Sequence, residues 1–323
     1  CVFWKLGDYA LALEHFQPAY QIALELKDKE LIANSLASLG VLELSQGNYE
    51  KARDFFEESL QLAEESGDNR GRINNLHNIG YVLSRQGNYP EAIEYYQRKF
   101  EVLEEIGDRQ EIAGSLLNIG IIYQNQGNYA GAIENYQEAQ SLYEEFGKKD
   151  AASMCLNSIG LIHQAQGNFE LALGYFQNSL EIKEEIGDIR GIASCMMNIG
   201  TIHKDQANYP EALRYFRSSL EILEQLQDKS GISNVLMFMG SSYRQDGERS
   251  MALEYLDSSL EIKEEIGDKA GISSILLQMG EIYLTDHNYS RALELTNRSL
   301  EIALDLMLLD KLSRIYKQLS DIY

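Results

Sequence analysis

Proline, cysteine and tryptophan are scarce in this sequence, and no apolar run is long. Its 323 residues include three prolines, three cysteines and one tryptophan. Because prolines are so rare and no Ser/Gly-rich segment occurs, no linker divides the chain. The apolar runs are far shorter than the roughly 20 residues that a membrane-spanning helix needs, and no signal-peptide pattern opens the chain. The sequence therefore predicts a soluble, cytoplasmic protein that does not enter a membrane.

Basic residues are also in short supply. The chain has 28 Lys and Arg against 50 Asp and Glu, a formal net charge of −22. Nucleic-acid binding depends on clustered Lys and Arg that neutralise phosphates, so no nucleic-acid partner is expected. An anionic membrane surface is disfavoured for the same reason. Solubility explains the excess of carboxylates more simply than an acidic docking site does.

Glycine, by contrast, recurs at a fixed interval of 40 residues. The recurring positions are Gly40, Gly80, Gly120, Gly160, Gly200, Gly240 and Gly280, and an alanine follows each one twelve residues later, as Ala132 follows Gly120. A period in this range indicates stacked units of supersecondary structure. A glycine inside a helix costs about 1 kcal/mol relative to alanine. Its repetition therefore predicts a close approach between two helices at Gly120 and Ala132.

Each 40-residue unit is predicted to contain two helices, which we name helix A and helix B. Leu116, Ile119 and Tyr123 lie at helical spacing and predict the buried stripe of helix A. The segment 126–129, QGNY, has a glycine suited to end a helix and an asparagine suited to begin the next. The second turn is at Gly107 and Asp108. The predicted spans are 110–126 and 150–166 for helix A and 129–146 and 169–186 for helix B, repeated every 40 residues.

These packing positions resemble the tetratricopeptide repeat. The matching pattern of large residue, Leu-Gly, Tyr, Ala, Phe/Tyr and Ala is carried by Leu116, Ile119, Gly120, Tyr123, Ala132, Tyr136 and Ala139. The usual unit has about 34 residues, whereas here helix B is longer and ends at Gly-Asp. That longer form is similar to the repeats of spindle-orientation adaptors and of regulatory segments of bacterial signalling proteins. The resemblance implies an all-α fold, a right-handed superhelical α-solenoid of antiparallel helix pairs.

The repeat also predicts how the chain is organised. A solenoid grows by adding neighbours, so residues 1–323 are expected to form a single solenoid domain. Seven complete A/B pairs are predicted, with a half repeat at each end. Gly7 and Phe16 at the start and Leu319 and Tyr323 at the end are in register with positions inside a repeat. Because such arrays need polar capping units, these ends predict a fragment of a longer array or of a multidomain protein.

Cysteine and histidine give no indication of chemistry. Cys155 and Cys195 are 40 residues apart and so occupy equivalent positions in successive helices A, about 8–10 Å apart and beyond disulfide reach. They are interpreted as small buried hydrophobes in a reducing compartment. His163 and His203 replace Tyr123 and are expected to be core residues with one hydrogen bond, not metal ligands. His77 is assigned to a polar face beside the buried stripe.

No catalytic motif accompanies the repeats. There is no glycine-rich phosphate loop, no zinc-ligand spacing and no nucleophile with a base at motif spacing. The sequence therefore predicts that the chain is not an enzyme, with no catalytic residue, no metal and no cofactor.

The face of helix A that does not pack is the predicted binding surface. In tetratricopeptide arrays this face lines a concave groove. The position two before the glycine is occupied by Ser38, Asn78, Asn118, Ser158, Asn198, Phe238 and Gln278. The position six before the glycine is occupied by Asn34, Asn74, Gly114, Met154, Ser194, Asn234 and Ser274. Such a ladder of amides can hold a peptide main chain. The alternative is that asparagine merely fills a solvated helical face, where Glu, Lys or Gln would form helix better.

Apolar and basic residues interrupt this ladder and would provide specificity, since aromatic, Met and Arg residues are enriched at interfaces. The position three before the glycine has no lysine in a complete repeat, so the carboxylate clamp of chaperone-binding relatives is not expected. The predicted binding residues are Asn34, Asn74, His77, Asn78, Tyr81, Arg85, Asn118, Ile121, Asn157, Leu161, Met197, Asn198, Lys204, Asn234, Met237, Phe238, Arg244 and Gln278.

Two functional hypotheses follow. The first is a protein-interaction scaffold that binds a peptide or protein segment, extended or helical, in its groove. The second is a sensory or regulatory repeat segment that controls an effector domain outside this sequence, such as a kinase, cyclase, protease or transcription regulator. The sequence leaves homo-oligomerisation open.

Overall fold

The computed structural model describes residues 9–322, with side chains from residue 15 onward except that of Asp310. Over these residues the chain forms sixteen α-helices and no strand. The helices are α1 (Tyr9–Leu26), α2 (Lys29–Ser45), α3 (Tyr49–Ser66), α4 (Asn69–Arg85), α5 (Tyr89–Ile106), α6 (Arg109–Asn125), α7 (Tyr129–Glu145), α8 (Lys149–Ala165), α9 (Phe169–Ile186), α10 (Ile189–Asp205), α11 (Tyr209–Gln225), α12 (Lys229–Asp246), α13 (Arg249–Ile266), α14 (Lys269–Thr285), α15 (Tyr289–Asp305) and α16 (Leu309–Ile322).

The all-α fold of repeated helix pairs is confirmed. Even-numbered helices from α2 to α14 are helices A, each followed by its helix B, which makes seven pairs with α1 and α16 as the flanking half repeats. The predicted spans agree with the observed ends to within one residue at α6, α7, α8 and α9. Gly7 and Tyr323, used to place the two ends in register, lie outside the described residues.

The chain divides into two compact units, residues 1–162 and 163–323. In the first unit, the core is built around Phe56, Leu76, Ile79 and Tyr96, which come from three successive helices, α3, α4 and α5. In the second unit, one core cluster surrounds Phe216 and Val235, and another surrounds Leu256, Ile275 and Met279. The prediction of one solenoid domain over the whole chain stays a prediction.

The turns end the helices as the sequence indicates. Gly127 takes a left-handed conformation with φ 74°, and the next residue, Asn128, donates its backbone N–H to the carbonyl of Tyr123 at 2.8 Å. This closes α6 with the bond pattern of a Schellman motif. The side chain of Asn128 then accepts from the N–H of Gly131 at 3.2 Å and caps α7. Asp108 caps α6 in the same way by accepting from Glu111 at 3.2 Å.

The recurring glycine lies where helix B approaches helix A. A Cβ atom on Gly120 would lie 2.7 Å from Cε1 of Tyr136, a side chain of α7 that is fully buried. At Gly200 the same atom would lie 3.2 Å from the carbonyl oxygen of Ala212 in the facing helix. The predicted close contact of glycine and alanine is therefore confirmed, with an aromatic ring as its tightest element.

In several helix pairs, a buried serine of helix B donates a hydrogen bond to a backbone carbonyl of helix A. The hydroxyl of Ser219 donates to the carbonyl oxygen of Ala193 in α10 at 2.8 Å, 26 residues earlier. Ser59 makes the equivalent bond to Ala33 at 2.8 Å. Because both partners are buried, each bond fixes the axial position of one helix on the other.

Candidate functional site

The ladder residues two before the recurring glycine are half-buried, and some polar groups at both ladder positions already have partners within the protein. The amide of Asn118 donates to the carbonyl of Gly114 in its own helix at 2.8 Å. The side-chain oxygen of Asn234 accepts from the buried ammonium group of Lys263 at 2.7 Å. Such internal bonds reduce the number of donors and acceptors that a ligand could use.

In the first unit, four predicted residues line one cavity. Tyr81, Arg85, Asn118 and Ile121, from α4 and α6, surround a space of about 320 Å³, which we name the Tyr81 cavity. Tyr81 and Ile121 each expose about two-fifths of their surface, 43% and 41%. They occupy equivalent positions, one residue after the recurring glycine, so the helical repeat places them in a row.

In the second unit, five predicted residues line another cavity, of about 280 Å³. Lys204, Met237, Phe238, Arg244 and Gln278, from α10, α12 and α14, surround this space, which we name the Phe238 cavity. Its apolar side is formed by Phe238 and Met237, and its polar side by the basic residues. The ammonium nitrogen of Lys204 lies 5.7 Å from the centre of the Phe238 ring, within range of a cation–π interaction.

Ion pairs hold the basic residues of this cavity in place. Arg244 contacts Glu281 at 2.9 Å, and Arg314 contacts the other oxygen of the same carboxylate at 3.1 Å. Lys204 contacts Asp205 at 3.4 Å. Since one carboxylate serves two guanidinium groups, positive charge remains in excess beside the cavity.

The expectation that Phe238 faces away from the packed surface is wrong. Its ring stacks on Phe216 with the two centres 5.8 Å apart and the planes 15° from parallel. Phe216 is fully buried and contributes to the core. Phe238 therefore supports the packing of α12 on α11 as well as lining the cavity. It can do both because the position two before the recurring glycine is half-buried where three helices meet.

A third cavity, of about 300 Å³ in the second unit, is lined by Met197 and Asn234 among others. The remaining predicted residues do not line these three cavities. They are Asn34, Asn74, His77, Asn78, Asn157, Leu161 and Asn198. Leu161 is exposed, whereas Asn157 and Asn198 are half-buried and have interactions within the protein.

The sequence prediction omits two basic residues of the Phe238 cavity, Lys311 and Arg314. Both belong to α16, the final half repeat. Arg314 is 40 residues after Ser274 and so occupies the position six before the recurring glycine, where the ladder continues. Continuing the 40-residue alignment into the final half repeat would have identified Arg314 as a residue of this face.

The assignment of His77 to a polar face is wrong. Its ring is half-buried and packs edge-on against Tyr96 with the centres 5.8 Å apart. Burial lowers the pKa of His77, and the nearby charge of Lys99 lowers it further. The neutral imidazole is therefore favoured, as expected of a packed side chain.

His163 and His203 are half-buried and not fully enclosed. Their rings stack on Tyr175 and Tyr215, with centres 5.5 and 5.6 Å apart. Nδ1 of both rings is buried and has no hydrogen-bond partner among the described residues. The one hydrogen bond expected of each ring stays a prediction.

Residues 9–322 contain no group of three or more His, Cys, Asp or Glu side chains arranged to hold a metal ion. None of the helices there is long and apolar enough to cross a membrane. Cys155 and Cys195 are buried free thiols, and burial raises the pKa of both.

The sequence matches the tetratricopeptide repeat model over residues 2–65, 71–145, 111–185, 150–225 and 231–305. The chain belongs to the tetratricopeptide repeat family. The resemblance of its packing positions to that family is therefore confirmed. No curated relative matches by sequence.

Several solved structures share the fold of this tetratricopeptide repeat protein. A Rap protein complexed with Competence and Sporulation Factor is 17% identical with a TM-score of 0.60, over 99% of this chain and 97% of that one. The Rap conjugation gene regulator of plasmid pLS20, in complex with the Phr* peptide, is 17% identical with a TM-score of 0.59, over 87% and 76%. A signal transduction ATPase from Pyrococcus horikoshii with a tetratricopeptide repeat sensor is 18% identical with a TM-score of 0.68, over 81% and 41%.

Proposed function

We propose that this protein is a non-catalytic interaction module, which binds a peptide or an extended or helical segment of another protein along the free faces of its helices A. The observation that carries this proposal is the clustering of predicted residues around cavities: Tyr81 and Ile121 in one unit, Phe238 and Arg244 in the other. Each cavity combines an apolar surface with a few polar groups, the usual composition of a ligand site. We further propose that the whole chain acts as one solenoid domain in the cytoplasm.

The solved relatives support a peptide ligand in this fold. Two of them, both Rap proteins, have structures in complex with Competence and Sporulation Factor or with the Phr* peptide, although at 17% identity the likeness to this chain concerns the fold alone. Regulation of an effector domain is the second candidate. It is favoured by the ATPase in which tetratricopeptide repeats are described as a sensor.

The test uses peptides selected from a displayed random library against the purified protein. The affinity of recovered peptides is then measured for variants on helix A, Ile121→Ser and Gln278→Ala. The matched control is Ile106→Ser in helix α5, because Ile106 and Ile121 expose nearly the same fraction of their surface, 43% and 41%. We expect one of the helix A variants to weaken binding about tenfold or more, and the control to change it less than twofold.

Two results would contradict the proposal: recovery of no peptide at all, or peptides whose affinity changes with Ile106→Ser and with neither helix A variant. Phe238→Ala is not used as the primary variant, because the stacking of Phe238 on Phe216 would mix lost packing with lost binding. Circular dichroism of each variant is the check that its helices remain folded.

A further inference from the structure

A basic region occurs in the second unit of a strongly acidic chain. The net charge of the chain is −22, yet the described side chains that line the Phe238 cavity include Lys204, Arg244, Lys311 and Arg314 and no Asp or Glu. Arg244 and Arg314 also line a second space, of about 490 Å³, which we name the Gln318 cavity; its other charged lining residues are Arg249 and Lys317 and the carboxylates Glu281 and Asp321. The two cavities therefore adjoin at this pair of guanidinium groups.

Several buried polar atoms of these cavities have no partner. Gln318 is only 4% exposed and lines the Gln318 cavity, and neither its side-chain nitrogen nor its oxygen has a hydrogen-bond partner among the described residues. The same holds for Nε of Arg244 and Oε1 of Gln278 in the Phe238 cavity. A buried polar group without a partner costs about 1–3 kcal/mol. A ligand that offers both donors and acceptors would remove this cost.

We propose that the Phe238 and Gln318 cavities together bind an acidic internal segment of a partner protein. An Asp or Glu side chain of that segment contacts Arg314 and Arg244, and its backbone amides pair with Gln318 and Gln278. An apolar side chain next to the acid packs beside Phe238. This inference rests on the proposed function, which it makes specific by naming the chemistry of the segment.

The surroundings favour such a segment over other anions. A polyanion such as a nucleic acid would be repelled by the overall charge of −22, whereas a single carboxylate at the junction of the two cavities meets mainly the charged side chains described in their lining, six basic and two acidic. Arg244 and Arg314 share one carboxylate, Glu281, so most of their ten N–H donors remain for a second one. Because the two cavities adjoin at this pair, a chain can pass across it with residues on both sides, which favours a side-chain carboxylate over a chain end.

The experiment uses a displayed library of random peptides and the variants Arg314→Glu and Arg298→Glu of the full chain. Arg314 and Arg298 are similarly exposed, at 64% and 50% of the side chain, and each contacts one glutamate. Arg298 contacts Glu264 and does not line either cavity, so it controls for the change in overall charge. Recovered peptides are synthesised with amidated C termini, and each is also made with its Asp and Glu replaced by Asn and Gln.

We expect recovered peptides to be enriched in Asp or Glu next to an apolar residue. Arg314→Glu should weaken them about tenfold or more, and Arg298→Glu less than twofold. The amide versions should bind the wild type weakly and should be little affected by Arg314→Glu. Arg314→Lys, which keeps the charge but not the planar fork, should give an intermediate affinity.

The inference is overturned if the amide versions bind as well as the acidic ones, if both charge reversals weaken binding equally, or if amidation of the C terminus abolishes binding. Peptides without acidic residues that are weakened by Ile121→Ser would overturn it while leaving the proposed function intact. Recovery of no peptide would contradict the proposed function itself.

Discussion

Replacing Gly120 with alanine should destabilise the α6–α7 pair, although alanine is the better helix former. The new Cβ would lie 2.7 and 2.8 Å from two carbon atoms of the Tyr136 ring, whereas carbon atoms normally approach to about 3.5–4.0 Å. The ring has no free space to move into, because Tyr136 is fully buried and its hydroxyl donates to the side-chain oxygen of Gln124 at 2.8 Å.

The magnitude follows from two opposing effects. Overpacking of this kind costs about 1–3 kcal/mol, and the gain in helix propensity returns about 1 kcal/mol. A matched control lies in the same helix: a Cβ on Gly114 would meet only the hydroxyl of Tyr143, at 3.6 Å. Gly114→Ala should therefore stabilise by up to about 1 kcal/mol. Both variants gain the same helix propensity. The difference between their free energies of unfolding therefore measures the cost of overpacking alone. Gly120→Leu should cost more than about 2 kcal/mol.

Urea denaturation, monitored by circular dichroism, measures the overall loss in the free energy of unfolding. Because the stability of a repeat array is a sum of local contributions, amide hydrogen exchange should show the effect in α6 and α7 first. Equal stability of Gly120→Ala and Gly114→Ala would refute the reasoning and show that the glycine is not required by the facing ring.

Two further predictions concern bonds that join neighbouring helices. Ser219→Ala should cost about 0.5–1.5 kcal/mol in urea denaturation, because it removes a buried hydrogen bond between α11 and α10 and leaves the carbonyl of Ala193 with only the bond inside its own helix; an unchanged midpoint would contradict this. Asp188→Asn should cost about 1–3 kcal/mol at pH 7, because the pKa of Asp188 is held below its ordinary value first by the hydrogen bond from the buried Lys183. The stability that this carboxylate contributes is fully present above its unfolded pKa of about 4 and is lost as the pH falls through the lowered folded pKa. The gap between wild type and Asp188→Asn should therefore narrow in denaturation at acid pH, and a constant gap would count against the ion pair.

The helices and their turns could be predicted from sequence because each packing position recurs in seven repeats. The spacing of Gly120, Ala132 and Tyr136 fixes which faces of two helices meet, and Gly107 and Gly127 mark the turns between them. Errors of one residue at helix ends reflect fraying of hydrogen bonds there.

The candidate site was less predictable, because periodicity assigns a residue to a face and does not measure how deeply it is buried. Phe238 and His77 lie on the edge of the free face, and both pack against an aromatic ring of a helix B. The partners of Asn234 and Asn118 depend on side-chain directions that spacing does not specify. The basic character of the Phe238 cavity depends on Arg314, which comes from the half repeat.

The residues in the left-handed conformation at the turns affect how easily each part of the array unfolds locally. Among residues 9–322, ten of these positions carry glycine, with no steric penalty, but Lys27, Ala207, Gln227, His287 and Met307 have φ between 52° and 59° without being glycine. A side chain in that conformation costs about 1 kcal/mol. Four of the five belong to the second unit, the one that contains the basic cavities. Its turns should therefore open more often than those of the first unit. A ligand that bridges successive helices there would dissociate with the frequency of this local unfolding.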